Sequence, residues 1–373
     1  MNVPFLHLKK HNLLFEKKYQ EAFKRFLHAG QFILGESVSS FEEDFSSYIG
    51  TEYAVGVSNC LDGLELLLKS FHISKGDEVL VPSNTYIATW LAVMNVGATP
   101  VPVEPDLDTY NIDPYNIEKH ITKRTKAIIV VHLYGLSCDM DVINNIASKY
   151  SLHVFEDAAQ SHGSKYKERF VGNLSDGASF SFFPSKNIGA LGDAGIITTN
   201  SKDLSNKLKA LRNYGSSKKY FNDFIGKNSR LDELQASFLK IRFKTINEEN
   251  AKRSALAQRY IENLTEISSK IKLPKVPSVD YLHSWHLFVI MVEDRDALQS
   301  FLSEKNIDTL IHYPVPPHLQ KAFMNTPFAE LSLPISEDIH SKCLSLPISC
   351  LHIFEEIDYV SEAIISFFKN DKK

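Results

Sequence analysis

The stretch that decides the fold reads AIIVVHLYGLSCDMDVINNIASKYSLHVFED over residues 127–157. It opens with the short apolar run Ala127–Leu133, which is typical of a buried strand. Asp139–Tyr150 follows with apolar residues near helical spacing, and Leu152–Asp157 is a second candidate for a buried strand. A strand, a helix and a strand in this order predict two parallel strands joined by a crossover helix.

The same alternation continues on both sides of this stretch. A helix is predicted over Asp62–Phe71, where four apolar residues follow the i, i+3, i+4, i+7 pattern. The sequence therefore predicts an α/β fold with a mainly parallel central sheet, whose ligands bind beyond the carboxyl ends of the strands. The remaining strand candidates are Glu78–Pro82, Pro100–Glu104, Ala178–Phe183 and Gly195–Thr199.

The pattern changes near Ser229. From Arg230 to about Leu264 the chain is predicted to form one or two long amphipathic helices. A strand at Trp285–Val292, a helix at Asp294–Lys305 and a last helix from about Glu355 follow. We therefore predict two domains, a large one over residues 1–246 and a smaller C-terminal α+β domain over residues 247–373.

Composition excludes several classes of protein. The 373 residues carry 45 acidic and 41 basic side chains, and a net charge of -4 argues against a nucleic-acid partner. No apolar run reaches the roughly 18 residues that span a membrane, and Met1–Pro4 does not resemble a signal peptide. Four cysteines without a CxxC pair predict neither disulfides nor zinc. We expect a cytoplasmic enzyme.

His283 and His286 are a candidate pair of metal ligands. His283 and His286 have i, i+3 spacing in the strand-like run around Trp285. On a strand that spacing places the two side chains on opposite faces, so we predict no metal site.

Two side chains that could take part in a reaction lie where predicted strands end. Asp157 ends the strand Leu152–Asp157, and its alternative role is to cap the next element. Lys186 follows the strand Ala178–Phe183 in apolar and aromatic surroundings. Such surroundings lower a lysine pKa and free the amine to attack a carbonyl, whereas most lysines are solvated surface charges.

Two further features belong to the same edge. Ser58–Gly63 opens a helix whose free amide groups suit a phosphate, although Ser58 or Asn59 could simply cap that helix. Tyr86 follows the strand Glu78–Pro82, where it could stack on a planar ligand or merely pack. Pyridoxal phosphate (PLP) needs a lysine, an acid for its ring nitrogen, a helix start for its phosphate and a flat contact. We predict PLP as the cofactor.

Three stretches resemble the DegT/DnrJ/StrS family of sugar-nucleotide aminotransferases, which have the aspartate-aminotransferase-like fold (PLP fold type I). They are Glu156–Gly163, Ser181–Gly195 and Gly226–Ala236. The resemblance implies that Lys186 forms the Schiff base with the cofactor and that Asp157 pairs with the pyridinium nitrogen. It also implies a homodimer, because one phosphate contact comes from the neighbouring subunit. The implied cofactor contacts are Gln160 near the ring hydroxyl, Tyr86 on the ring, Cys60, Leu61 and Ser181 at the phosphate, and Asn228 from the second subunit.

Details of the sequence are similar to the subgroup that aminates C3 of dTDP-3-keto-6-deoxyhexoses. The similarity lies in Leu61-Asp62 and in the run Lys186–Gly195, whereas enzymes that aminate C4 more often carry Gly-Glu-Gly-Gly at Gly192–Gly195. Two departures are Cys60-Leu61, where many relatives have Gly-Thr, and Phe183, which replaces a frequent tyrosine. The resemblance implies deoxysugar biosynthesis, such as that of O-antigen or lipopolysaccharide, with glutamate as amino donor.

The substrate contacts are less distinctive. His312-Tyr313 and His318 lie on a Pro-rich loop that resembles a sugar-facing loop of the family, and the alternative is a rigid surface turn. Lys218-Lys219 could meet the nucleotide diphosphate from the second subunit or form a solvated loop. Two other functions stay open: amination of a 4-keto sugar nucleotide, and a PLP-binding regulatory protein without turnover.

Overall fold

The computed structural model describes residues 1–275 and 278–370. Its strands, in chain order, are β1 (Tyr53–Val57), β2 (Glu78–Pro82), β3 (Thr99–Val103), β4 (Thr125–Val131), β5 (His153–Asp157), β6 (Lys165–Tyr166), β7 (Arg169–Phe170), β8 (Gly177–Ser181), β9 (Gly195–Thr199), β10 (Ser216–Lys218), β11 (Phe221–Asn222), β12 (Ile271–Lys272), β13 (Tyr281–Leu282), β14 (Phe288–Val292) and β15 (Cys343–Leu346). Its α-helices are α1 (Leu8–Leu13), α2 (Glu16–Ala29), α3 (Glu36–Ile49), α4 (Cys60–Ser70), α5 (Ile87–Asn95), α6 (Pro114–Ile117), α7 (Met140–Tyr150), α8 (Lys202–Leu211), α9 (Glu233–Phe243), α10 (Ile246–Leu264), α11 (Arg295–Glu304), α12 (Pro334–Lys342) and α13 (Phe354–Asn370).

The central sheet has seven strands in the order β1-β9-β8-β5-β4-β2-β3. Only β9 runs antiparallel to its neighbours, so the prediction of a mainly parallel sheet is confirmed. Strand β1 was missed because Gly56 breaks its apolar run. A Cβ atom at Gly56 would lie 2.8 Å from Cβ of Leu231, so close packing of that leucine requires the glycine.

Helices cover both faces of this sheet, as the alternation of strands and helices predicts. On β4, Ile128 and Val130 face one hydrophobic cluster with α3 and α7, whereas Ala127 and Ile129 face a second cluster with α4 and α5. Successive strand residues point to opposite faces, so a strand that is apolar throughout contributes to both layers.

The C-terminal part has its own small sheet, β12-β14-β15, which packs with α10, α11 and α13. Val3 joins this third hydrophobic cluster and forms a bridge with Ile307, so the N-terminus lies on the C-terminal part. Helix α10 touches two clusters, since Ile246 packs in the first and Tyr260 in the third. The division of the chain at residues 246 and 247 stays a prediction.

A buried carboxylate ties the start of α3 to the start of α9. The backbone amides of Gly35 and Val38 donate to Oε2 of Glu233 at 2.9 and 3.1 Å, and the amide of Ser37 donates to its Oε1. A carboxylate at a helix start satisfies free amides and complements the helix dipole. Among the described helices, none is long and apolar enough to cross a membrane.

Candidate active site

The carboxyl ends of β1, β2, β4, β5 and β8 meet at one edge of the sheet, because these strands run in the same direction. A cleft of about 390 Å³ opens there. Nine of the site residues predicted from the sequence line it: Cys60, Leu61, Tyr86, Asp157, Gln160, Ser181, Lys186, His312 and Tyr313.

Asp157 is held in one orientation at the end of β5. The Thr89 hydroxyl donates to its Oδ2 at 2.8 Å, and the Ala159 amide donates to its Oδ1 at 3.2 Å. Thr89 is in turn 2.9 Å from the hydroxyl of Thr85. Burial raises the pKa of Asp157, whereas these hydrogen bonds and the charge of Lys186 favour its ionised form. The carboxylate is therefore a fixed acceptor that lines the cleft.

Lys186 lies on the tight turn that follows β8. Its backbone amide donates to the carbonyl of Phe183 at 2.9 Å, and Pro184 occupies the second position of that turn, where proline is favoured. The side chain is only partly exposed, and desolvation lowers the pKa of its amine to about 8. Roughly a tenth of the amine is thus uncharged at pH 7, far more than for a solvated lysine, and the uncharged amine is the form that attacks a carbonyl.

The start of α4 provides free amide groups at the same edge. Asn59 caps the helix by accepting from the Asp62 amide at 2.8 Å, as the capping alternative predicts. That cap leaves the amides of Cys60 and Leu61 without an acceptor in the described part of the chain. A Cβ atom at Gly63 would lie 2.2 Å from Oγ of Ser179, so this glycine lets α4 approach β8 closely.

Another wall of the cleft is formed by polar side chains that are hydrogen-bonded to one another. Gln160 accepts from the Tyr134 amide at 2.7 Å and donates to the Tyr313 hydroxyl at 2.9 Å. The rings of Tyr313 and Tyr86 lie 5.1 Å apart between centroids. Burial lowers the pKa of His312 to about 4, so its ring is neutral at pH 7. The loop that carries His312 therefore forms a wall of the cleft.

Asn228, His318 and the pair Lys218-Lys219, which were also predicted as candidates, do not line this cleft. Asn228 is exposed shortly before α9, and its backbone pairs with Asn213. Lys219 is exposed in the β10–β11 hairpin, with its Nζ 5.1 Å from the ring centroid of Tyr220. His318 is buried, and its Nε2 lies 3.2 Å from Oε1 of Glu337. The roles given to Asn228 and Lys219 need a second subunit and stay predictions.

Two polar residues of the site were missed as site residues. Thr89 lies one helical turn after Thr85 and reaches Asp157, and no sequence pattern marks that contact. His286 lines the cleft, although the sequence suggested it only as a candidate metal ligand. The strand begins at Phe288 instead of Trp285, so the argument from opposite faces of a strand does not apply. His283 instead stacks on Trp285, with 3.9 Å between ring centroids.

A lysine with a lowered pKa, a buried carboxylate and a helix start at one edge of a mainly parallel sheet are typical of the class of fold type I PLP enzymes. The chain belongs to the DegT/DnrJ/EryC1/StrS aminotransferase family, which matches residues 14–365. The predicted family, the predicted fold and the predicted aminotransferase activity with PLP are thereby confirmed.

Individual relatives agree with this assignment. The chain is 53% identical over 362 residues to the dTDP-3-amino-3,6-dideoxy-alpha-D-galactopyranose transaminase of Aneurinibacillus thermoaerophilus, covering 97% of this chain and 98% of that one. It is 46% identical to the dTDP-3-amino-3,4,6-trideoxy-alpha-D-glucose transaminase of Streptomyces venezuelae, covering 93% and 91%. Among solved structures, S. venezuelae DesV in complex with a ketimine intermediate superposes with a TM-score of 0.95 at 44% identity, covering 98% of both chains.

Proposed function

We propose that this protein transfers the amino group of glutamate to C3 of a dTDP-linked 3-keto-6-deoxyhexose, with PLP as cofactor. The observation that carries the proposal is the single cleft that contains Lys186, Asp157 and the start of α4. Amination of sugar nucleotides is the reaction named for the relatives above.

The residues of the cleft fit the cofactor. The amides of Cys60 and Leu61 and the hydroxyl of Ser181 would hold its phosphate, as the resemblance implies. The exposed ring of Tyr86 offers a flat contact, and Asp157 offers the acceptor for a protonated ring nitrogen. When bound, PLP supplies an aldehyde for attachment to an amine and a ring that withdraws electrons.

The side chains of this cleft have distinct tasks in the reaction. The amine of Lys186 accepts a proton from the donor's alpha carbon and returns one to the substrate, and a pKa of about 8 suits both directions near neutral pH. Asp157 would keep the ring nitrogen of the bound cofactor protonated, and Thr89 and Ala159, which donate to its two oxygens, favour the ionised carboxylate that this task needs.

Three sequence features support C3 of a dTDP-linked sugar. They are Leu61-Asp62 and the run Lys186–Gly195, and the third is only a detail of that run, Gly192–Gly195 in place of the Gly-Glu-Gly-Gly of many C4 enzymes. Two relatives named for 3-amino sugars of dTDP point the same way. We place the reaction in the cytoplasm, in deoxysugar synthesis for a surface polysaccharide such as O-antigen. The four cysteines, all free and buried, agree with that compartment.

We also propose a homodimer with shared active sites. Lys186 is the one described lysine or arginine that lines the cleft, yet the substrates carry a diphosphate and two carboxylates. Further positive charge must come from outside this cleft, and Lys219 together with Asn228 of a second copy would provide suitable groups. The β10–β11 hairpin and the segment after it expose apolar residues, with Tyr220 86% and Ile225 95% exposed, which fits burial in an interface.

A spectroscopic experiment tests this function. Protein loaded with PLP should change its absorbance to that of the pyridoxamine form when glutamate is added, and a dTDP-3-keto-6-deoxyhexose should reverse the change. Nuclear magnetic resonance of the product then shows which carbon carries the amine. The Lys186→Ala variant is the control and should show no turnover.

The possible outcomes separate the alternatives. An amine at C4 would identify a 4-aminotransferase. Activity with UDP sugars alone would show that the nucleotide is UDP and not dTDP. A bound cofactor that no amino donor changes would overturn the proposal in favour of a PLP-binding protein without turnover.

A further inference from the structure

His286 is a cleft residue to which the reaction above gives no task. It lies just before β14, only 7% of its surface is exposed, and it lines the cleft together with Lys186 and His312. Its ring is held by Asn187, whose Oδ1 lies 3.1 Å from Nδ1 of His286. The protonation of the ring follows from the partners of that asparagine.

The amide of Asn187 has its orientation fixed by its neighbours. Its Nδ2 donates to the backbone carbonyl of Ser284 and to Oδ1 of Asn250, each at 2.9 Å. The amide of Asn250 is fixed in turn, since its Nδ2 donates to the backbone carbonyl of His162 at 2.8 Å. A backbone carbonyl can only accept, so neither amide can be flipped without losing a bond. Oδ1 of Asn187 is therefore an acceptor.

The acceptor on Asn187 determines the tautomer of His286. Because Asn187 offers it an acceptor, Nδ1 must carry a hydrogen. Burial holds the pKa of His286 well below its ordinary value, and the nearby positive charges of Lys186 and Arg253 act in the same direction. A neutral ring carries one hydrogen, so Nε2 presents a free lone pair.

That lone pair remains available to a ligand of the cleft that His286 lines. Nε2 of His286 makes no hydrogen bond with the described residues, yet it is not enclosed, unlike the ring nitrogens of His162 and His340, which are buried without partners. A ligand group that meets Nε2 must donate a hydrogen. Phosphate oxygens and the carboxylates of glutamate only accept, and the amino group of glutamate is the group that is transferred. Among the other groups near the reacting carbon, the hydroxyl groups of a sugar can donate.

The position of His286 points to the sugar. His286, His312 and Tyr313 come from the C-terminal part of the chain, whereas the groups that fit the cofactor in this chain come from residues before 190. We propose that His286 positions the keto sugar by accepting, at Nε2, a hydrogen bond from a sugar hydroxyl next to the reacting carbon. This inference rests on the proposed function.

Two conservative variants separate the two ring nitrogens. The amide of asparagine lies near the place of Nδ1, so His286→Asn keeps a donor for Asn187 and loses the acceptor in the cleft. The longer His286→Gln places an amide oxygen near Nε2 and can restore that acceptor. His283→Asn is the matched control, because His283 is equally buried but stacks on Trp285 outside this cleft.

The experiment uses two probes that convert the PLP form of the dimer to the same pyridoxamine form: glutamate and dTDP-3-amino-3,6-dideoxygalactose. Stopped-flow absorbance gives the half-saturating concentration of each. For His286→Asn we expect a rise of about tenfold with the amino sugar, the effect of one lost hydrogen bond, and a change below about twofold with glutamate. His286→Gln should recover most of the loss, and His283→Asn should match the wild type.

A second readout does not depend on turnover. Calorimetry in a Lys186→Ala background should show the same tenfold loss of affinity for the amino sugar when His286→Asn is added. Nitrogen-15 spectra of histidine-labelled wild type should show the proton of His286 on Nδ1, and a proton on Nε2 would overturn the inference even if the variants fail to fold.

The outcomes distinguish the two proposals. Equal effects of His286→Asn on both probes, or no effect on either, would overturn the role of His286 and leave the proposed function intact. A wild type that responds to neither probe would overturn the proposed function and this inference with it.

Discussion

Lys186 and Asp157 are two ionisable groups whose burial acts against their charged forms. Desolvation lowers the pKa of the lysine to about 8 and raises that of the aspartic acid, while the attraction between them opposes both shifts. Groups with shifted pKa values that face one cleft are typical of catalytic sites. Each of the two has a measurable consequence.

Removal of the Lys186 amine should stabilise the protein without cofactor. The folded pKa of about 8 lies below the unfolded value of 10.5, so below pH 8 the folded chain carries a buried charge at a cost. At pH 7 we expect Lys186→Met to raise the free energy of unfolding in urea by roughly 2 kcal/mol. The wild type gains stability between pH 8 and 10.5, so the difference should shrink there. A difference that is constant between pH 7 and 10 would contradict this pKa.

The same pKa predicts how the cofactor attaches. Only the uncharged amine of Lys186 can attack the aldehyde of PLP, so attachment to the protein should accelerate as the pH rises from 7 to 9. Stopped-flow absorbance should give an apparent pKa near 8 for this rate. A rate that keeps rising with a midpoint above pH 10 would mean that Lys186 behaves as an ordinary solvated lysine.

Thr89 should control the orientation of Asp157. Thr89→Val keeps the shape of the side chain but removes the hydroxyl that donates to the carboxylate at 2.8 Å. We expect kcat to fall roughly tenfold and PLP to bind more weakly, since a hydrogen bond to a charged group is worth about 1.5–3 kcal/mol. Thr85→Val is the control, because Thr85 touches Thr89 and not Asp157. Equal losses in both variants would argue against a direct role.

At the scale of elements, long segments were predicted well and short ones were not. The six strands predicted for the central sheet are present with ends that move by two residues or fewer, because each is an apolar run bounded by polar residues, whereas β14 begins three residues after its predicted start at Trp285. Strands such as β6, β7 and β13 have two residues each and carry no periodicity to detect. Helices α2 and α3, which were not predicted, are amphipathic, and each ends at a glycine in the left-handed conformation, Gly30 and Gly50.

The site was predicted unevenly for a related reason. Residues that follow parallel strands reach one edge by topology, so Asp157, Lys186 and Tyr86 could be placed together from sequence. Thr89 reaches Asp157 through packing of a helix, and His286 reaches the cleft through packing of the C-terminal part, and no local pattern encodes either contact. Contacts between distant segments are the information that a single sequence lacks.

Glu104 should stabilise the start of α12. Its carboxylate, just after β3, accepts from the amides of Ile335 and Ser336, each at 2.9 Å. Glu104→Gln removes the negative charge at that helix start, and we expect the free energy of unfolding in urea to fall by about 1–2 kcal/mol. Glu355→Gln, at the exposed start of α13, is the control and should cost less than about 0.5 kcal/mol. Similar losses would contradict the capping role.

At the scale of the whole molecule, the proposed shared site predicts complementation between inactive subunits. Lys186→Ala removes the amine of one chain, and Asn228→Asp would repel the phosphate held by the other. A mixture of the two variants with exchanging subunits should regain up to about a quarter of wild-type activity, because half of the dimers are mixed and each has one complete site.

A matched control makes this assay decisive. Asp157 and Lys186 belong to the same cleft of one chain, so Lys186→Ala mixed with Asp157→Ala should remain inactive. No recovery in the first mixture, with subunit exchange verified by mass, would contradict a contribution of Asn228 to the partner's site.

The carboxylate of Glu233 has a consequence for synthesis on the ribosome. The amide of Gly35 bonds to a residue that is 198 positions downstream, so this bond cannot form until that residue has been synthesised. In the same way, β1 cannot pair until β9 has been synthesised. At roughly 10 residues per second, that delay is about 20 s of translation. Nascent chains that stall before residue 233 should therefore be unable to bind the vitamin-derived aldehyde PLP. They would not compete with finished chains for it, and they would be exposed to proteases.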